Sequence, residues 1–317
     1  MKKWLFVFAA FFVLLLISPY ALIPSNIIIS KVTAIECSHD GAFKILSDES
    51  TWSKWWPVSD SLHHHPATAK PVFVFQKDSY EPGQLYTNGV QINIRNNESS
   101  LSSSLMLFPL RDDSVVAEWQ CTMAASHNPF ARIAQYLRAV TIKKNMNTIL
   151  TSLHDFLQIQ KNVYGITISE TSITDTLLVA TKSLLSAYPS TRDIYRSAAI
   201  LKNYIASKGA KVTGRPMVNV TKINNNQFEM MVAIPANREL QADGNIFFRK
   251  MIPGNFLVTE VRGDISAINA AQKGMEDFMA DYQKTSMAIP FQSLITDRTI
   301  EADSSKWITK LYEPVMK

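Results

Sequence analysis

The sequence predicts an α+β chain in three parts: an N-terminal apolar helix, an antiparallel sheet around one long helix, and a duplicated βαββ unit. Three observations carry this. An uncharged apolar run follows Lys2 and Lys3. Strand-like segments then lead into a stretch with three- and four-residue apolar spacing between residues 129 and 160. Finally, a strand–helix–strand–strand pattern occurs twice after residue 165. The boundaries drawn are 1–24, 25–161 and 162–317, with the repeats at about 175–236 and 245–315.

Residues 4–30 carry no charged side chain, and the run 4–23 is long enough to cross a hydrocarbon core of about 30 Å as a helix. Lys2 and Lys3 favour a cytoplasmic N-terminus. The expectation is a single-pass inner-membrane anchor, a transmembrane helix with the soluble parts outside. The competing reading is a cleaved signal peptide ending near Ser18-Pro19, although no A-x-A-like site follows.

Of the 317 residues 46% are hydrophobic and 19% charged, which allows two domains with proper cores. The net charge of +5 is modest, and no basic run is interleaved with aromatics, so no nucleic-acid partner is expected. Cys37 and Cys121 have no metal spacing and read as buried thiols, or as a pair if the body is extracytoplasmic. His63-His64-His65 would point in different directions on an extended loop, with no carboxylate or thiol close by, and reads as a solvated loop. No metal and no cofactor is expected.

In the first soluble region, 27–35 reads as a long strand and about 40–46 as a short helix, with His39-Asp40 able to cap it. Three tryptophans, Trp52, Trp55 and Trp56, fall within five positions. Four strand candidates follow at 71–76, 85–94, 101–110 and 115–123, with DSYEPG among the turns between them. Asn128-Pro129 opens the long helix. Ile133, Leu137, Val140, Met146, Ile149, Leu150, Leu153, Phe156 and Leu157 are taken as its apolar face. This order resembles the START-like, polyketide-cyclase/SRPBCC helix-grip fold. The resemblance implies a sheet that grips the last helix and leaves a hydrophobic tunnel.

In the second region the first copy has a strand in 176–187, a helix in 191–208 and strands in 216–223 and 227–236. Within the last, Phe228, Met230, Val232 and Ile234 alternate with Glu229, Met231 and Ala233. The second copy has a strand in 245–262 interrupted near Pro253-Gly254, a helix in 266–282 and strands in 289–296 and 306–315. Pro216-Met217 and Pro290-Phe291 stand just after each helix. Two such units bury themselves by pairing, and the groove where they meet is the expected ligand site.

With Gly263, Ile289-Pro290-Phe291, Asp297, Asp303 and the run from Trp307 to Val315, this region resembles the GyrI-like effector-binding domain of bacterial transcription activators. The resemblance implies a pocket for hydrophobic, often cationic, small molecules, which some members hydrolyse. Two positions depart from it. Gln292 and Lys310 stand where the family has acids, so the general base of a hydrolase is missing and an enzyme is not expected. Lys310 would disfavour a cationic ligand and favour a neutral or anionic one. Phe291, Gln292, Trp307, Lys310 and Tyr312 are the candidate ligand-binding residues. By strand alternation Glu313 falls on the other face and receives no role.

The sequence thus points to a membrane-anchored extracytoplasmic protein that holds a hydrophobic or amphipathic small molecule for sensing, sequestration or carriage. Signalling to the cytoplasm would need an unknown protein partner. The rivals are a hydrolase or cyclase acting on such a ligand and a structural or interaction protein with degenerate pockets.

Overall fold

A computed structural model describes residues 2–57, 62–63, 71–96, 99–173, 176–251, 253–286 and 288–316. Two compact units divide at Val163/Tyr164. His64 and His65 lie outside the described residues.

Unit 1 begins with α1 (Lys2–Leu22), β1 (Asn26–Ile35), α2 (His39–Ser47) and the short α3 (Trp52–Trp55). Ser38, not His39, caps α2, its hydroxyl accepting the Gly41 N–H. The strands β2 (Leu62–His63), β3 (Val72–Phe75), β4 (Asp78–Tyr86), β5 (Gly89–Arg95), β6 (Ser100–Arg111) and β7 (Ser114–Ala124) follow. The long α4 (Pro129–Leu157) and α5 (Gln160–Tyr164) end the unit. All strand pairs are antiparallel, in the order β1-β7-β6-β5-β4-β3-β2.

Several sequence expectations need correction here. Residues 2–22 are helical, yet among the described residues no helix is long and apolar enough to cross a membrane. The transmembrane element of the expected fold class is withdrawn, and with it the membrane partner and the inner-membrane location. Physically, the end of the apolar run is used by the unit itself. Ile23 is buried, and Arg132 Nε donates to its carbonyl at 3.1 Å. The same guanidinium lies 5.1 Å over the Tyr20 ring, and the Tyr20 hydroxyl donates to the His127 carbonyl.

The inward face of α4 also differs from the expected stripe. Asn128 caps it as anticipated, accepting from Phe130 and Ala131 N–H groups. Ile133, Leu137 and Val140 are exposed, however, while Arg132, Ala139, Ile142, Asn145 and Met146 are buried with Ile149, Leu150, Leu153 and Leu157. Two buried polar residues, Arg132 and Asn145, lie on this face, and apolar spacing alone therefore selected the wrong side of the first turns.

DSYEPG, expected as a turn, lies in β4. Its Asp78 is buried and receives Arg138 Nη1 at 3.0 Å and Asn145 Nδ2 at 3.1 Å. Trp52, Trp55, Trp56, Phe73, Tyr80 and Trp119 are all buried, and their rings meet at 5.2–6.0 Å between centroids. Burial pushes the Tyr80 hydroxyl pKa upward. Cys37 and Cys121 are buried and not disulfide-bonded, and burial raises the Cys121 thiol to about 12.

Unit 2 contains β8 (Ser169–Ile173), β9 (Thr176–Leu185), α6 (Thr191–Ser207), β10 (Met217–Asn224) and β11 (Gln227–Pro235). Then come β12 (Ile246–Met251), β13 (Gly254–Arg262), α7 (Ile265–Asp281), β14 (Phe291–Leu294) and β15 (Ile308–Val315). The sheet order β12-β9-β11-β10-β14-β15-β13-β8 has a mirrored layout. β9-β11-β10 and β13-β15-β14 are equivalent triples that meet where β10 pairs with β14. The strand before each triple, β8 or β12, extends the edge of the other. The sequence reading missed β8 and merged β12 with β13.

Both helices begin on side-chain caps, a reciprocal Ser190–Asp193 box for α6 and Asp264 for α7. They cover the same sheet face. Ile194, Ala198, Leu201 and Ile205 of α6 pack on Val179, Val218, Met230, Val232 and Ile234, and Ile268 and Ala271 of α7 pack on Val261 and Leu311. Gly263 ends β13 at φ +127°, a conformation open to glycine, and donates its N–H to the Trp307 carbonyl at 2.9 Å.

The Asp78–Arg138 pair gives a direct stability test. Asp78→Ala should cost about 3–5 kcal/mol by leaving the guanidinium uncompensated. The Asp78→Leu/Arg138→Met double variant should recover part of that loss. Urea denaturation monitored by tryptophan fluorescence reads both, and additive losses would contradict the pairing.

Candidate functional site

The two copies in unit 2 join through a short seam. Met217 faces Ser293 and Val218 faces Gln292 in the β10–β14 register. Beyond these pairs, Asn219 Nδ2 donates to the Pro290 carbonyl at 2.9 Å and Arg215 donates to the Ile295 carbonyl. Because successive residues alternate in direction, the seam presents different side chains to the two faces of the sheet. A cavity lies across it on each face.

The face away from the helices holds a cavity of about 290 Å3. Leu178, Met217, Met231, Met251, Phe256 and Phe291 form most of its wall. The polar lining residues are Asn219, Arg249 and Lys250, and no carboxylate is among the lining residues. Phe291 and Tyr312 are cross-strand partners whose rings stack at 4.6 Å with planes 8° apart. Phe256 meets Phe291 edge-on at 5.8 Å. The Arg249 guanidinium lies 5.5 Å from the Phe247 ring centroid.

On the helix-covered face a second cavity, of about 350 Å3, is lined by Val218, Val220, Met275, Met279 and Leu311 with Gln292. Glu276 of α7 and Glu313 of β15 also line it. Burial raises the Glu313 carboxyl pKa, the neighbouring Glu276 charge raises it further, and a hydrogen bond with Ser286 opposes both. Gln292 is only 8% exposed, and the Tyr188 hydroxyl pKa is raised by burial, an effect the Gln292 amide opposes.

Of the five residues expected from the sequence, Phe291, Gln292 and Tyr312 line one or both cavities. Trp307 and Lys310 line neither. Trp307 is held outside by an Nε1 bond to the Glu301 carbonyl at 2.8 Å and by Arg298 above its ring. Lys310 shares its strand face with Tyr312 but sits one pair further along, opposite Ser293 and Glu260. Glu313, given no role from the sequence, does line a cavity, because the face it occupies is the one under α7.

Methionines 217, 231 and 251, with Phe256 and Arg249, were missed. The alternation of Met231 and Ala233 against Met230, Val232 and Ile234 was a signal that they share a face. Nothing local indicated that Met251 would join them from β12, which pairs with β9 of the other copy.

No family model matches the chain, and no curated protein matches it. Among solved structures it is similar to EcmrR in a cryo-EM complex with DNA, at 14% identity and a TM-score of 0.45, covering 59% of this chain and 72% of that one. It is also similar to SAV2435 bound to tetraphenylphosphonium, at 15% identity and a TM-score of 0.32, with 48% and 94% covered. Aha1 from Colwellia psychrerythraea, solved as a dimer, gives 15% identity and a TM-score of 0.32, with 42% and 97% covered.

The raised Glu313 pKa fixes the sign of a pH effect. The folded state holds this proton more tightly than the unfolded chain does. The carboxyl therefore adds no penalty at low pH and opposes folding increasingly as pH rises from its ordinary value of 4.5 through the raised one. Glu313→Gln should raise Tm at neutral pH, with the gain shrinking toward zero as pH falls below the ordinary glutamate range. A gain independent of pH would contradict the assignment.

Proposed function

We propose that unit 2 is a small-molecule-binding module of the GyrI-like effector-binding kind, and that unit 1 is a helix-grip module of the START-like kind. The ligand of unit 2 is amphipathic, with a neutral or anionic head, and occupies the cavity on the face away from the helices. The observation that carries this is the make-up of that cavity: an apolar wall, three of whose side chains are methionines, with Arg249 at its margin and no carboxylate lining it. Methionine side chains adapt to ligand shape through their unbranched, polarisable chains. A volume of about 290 Å3 is close to the lower end of ordinary small-molecule sites.

The charge preference follows from where the formal charges lie. Arg249 makes no ion pair among the described residues, so its field reaches the cavity mouth uncompensated. It is exposed, and its contribution is that of a solvent-screened contact. The body of the ligand supplies most of the affinity by burying apolar surface. Held in this way, a ligand is sensed, sequestered or carried, and no group at this cavity is placed to act as a general base.

Isothermal titration with dodecanoate and dodecyltrimethylammonium, both below their micellar concentrations, tests this reading. Dodecanoate should bind more tightly. Arg249→Glu should weaken dodecanoate by about fivefold, the size of a screened charge contact, and Met231→Trp should abolish it by filling the cavity. Tighter binding of the cation, or an unchanged dodecanoate affinity in Arg249→Glu, would remove the proposal.

A further inference from the structure

Two carboxylates, Glu276 of α7 and Glu313 of β15, line the cavity on the helix-covered face, and no lysine, arginine or histidine lines it. Neither carboxylate makes an ion pair among the described residues. The lysines of this region are committed to other acids. Lys273 Nζ lies 2.7 Å from Asp277, and Lys284 Nζ lies 2.9 Å from Glu170. Glu276 is exposed, whereas Glu313 is half-buried. Two like charges that face one partly enclosed space repel each other, and a cation held between them turns that repulsion into attraction.

The neutral part of the lining adds a second, independent sign of a ligand. Gln292 is only 8% exposed and lines this cavity. An amide has two N–H donors and an oxygen with two lone pairs, and the Tyr188 hydroxyl can engage only part of that capacity. Asn219, by contrast, is already engaged. Its Nδ2 donates to the Pro290 carbonyl at 2.9 Å, and its Oδ1 accepts from the Thr221 hydroxyl at 3.0 Å. Val218, Val220, Met275, Met279 and Leu311 supply apolar surface beside these groups. A volume of about 350 Å3 suits a compact small molecule. The upward shift of the Glu313 carboxyl pKa is what a carboxylate without its counter-ion shows.

We propose that this cavity binds a small organic ammonium ion bearing N–H donors, a primary or secondary amine with a compact apolar body. Its N–H groups donate to the Glu313 and Glu276 carboxylates and to the Gln292 amide oxygen, while the body lies against Met275, Met279 and Leu311. Acceptors of this kind favour an ammonium that can donate over a quaternary ion, which offers charge alone. The site uses the opposite sheet face from the Arg249 cavity and does not rest on the reading of that cavity.

The test is isothermal titration of the full chain near neutral pH and at constant ionic strength, with phenethylamine, phenethyltrimethylammonium and phenylacetate as probes. Phenethylamine should bind saturably, the quaternary ion should bind more than tenfold more weakly, and phenylacetate should not bind. Glu313→Gln should weaken phenethylamine at least tenfold. Glu276→Gln, at an exposed position where the charge is screened, should weaken it several-fold, which keeps the test decisive should Glu313→Gln fail to fold. Met279→Trp should abolish binding by filling the cavity. Lack of saturable phenethylamine binding, a quaternary ion that binds within tenfold of the amine, or saturable binding of phenylacetate would overturn the proposal. So would an unchanged phenethylamine affinity in any of the three variants.

Discussion

The β10–β14 pairing is the contact on which the rest of unit 2 depends. Only two residue pairs form its ladder, Met217 with Ser293 and Val218 with Gln292. Each copy has a helix on one sheet face and neither closes its sheet alone. Joining them along this seam makes one eight-stranded sheet from two triples and their exchanged edge strands. The side-chain bonds from Asn219 to the Pro290 carbonyl and from Arg215 to the Ile295 carbonyl extend a ladder too short to hold the copies by itself. Both cavities lie across this line, with Val218 and Phe291, from either side of it, in both linings.

A two-residue side-chain period then gives those cavities opposite characters. Val218, Gln292, Leu311 and Glu313 point beneath the helices, whereas Met217, Phe291 and Tyr312 point to the other face. A single strand, β15, thus supplies a carboxylate to one side and a stacked tyrosine to the other. Acidic groups gather on the helix side as Glu276 and Glu313, and the opposite side has Arg249 at its margin. Val218, Asn219 and Phe291 line both cavities, so only the thickness of the sheet separates the two environments.

Unit 1 uses its interior differently. The three clustered tryptophans are buried with Phe73, Tyr80 and Trp119 in one packed aromatic group. The Asp78–Arg138–Asn145 group lies in the same interior and fixes how α4 is turned. It explains why apolar spacing misjudged that helix: a buried ion pair and a buried amide replace hydrophobic residues on the inward face, while Ile133, Leu137 and Val140 face outward. It also explains the misread of DSYEPG, whose acidic residue is an inward strand residue satisfied from α4.

Local sequence was enough for the α+β character, the Asn128 helix start and the strand–helix–strand–strand pattern that occurs twice, and it singled out Phe291, Gln292 and Tyr312, which line cavities. Those features rest on capping chemistry and on periods of two and 3.6 residues, which act over a few positions. Tertiary structure alone decided which copy each edge strand joined, that Lys310 and Trp307 stand outside the cavities while Glu313 stands inside one, and that the apolar N-terminal run ends fastened to Arg132. Each of these depends on a partner that is distant in sequence, and the free energy of a charge depends on what that partner leaves around it. Arg298 shows this most plainly: as sequence it is one cation in a charged loop, and folding turns its acidic neighbours away and leaves it half-buried without a carboxylate.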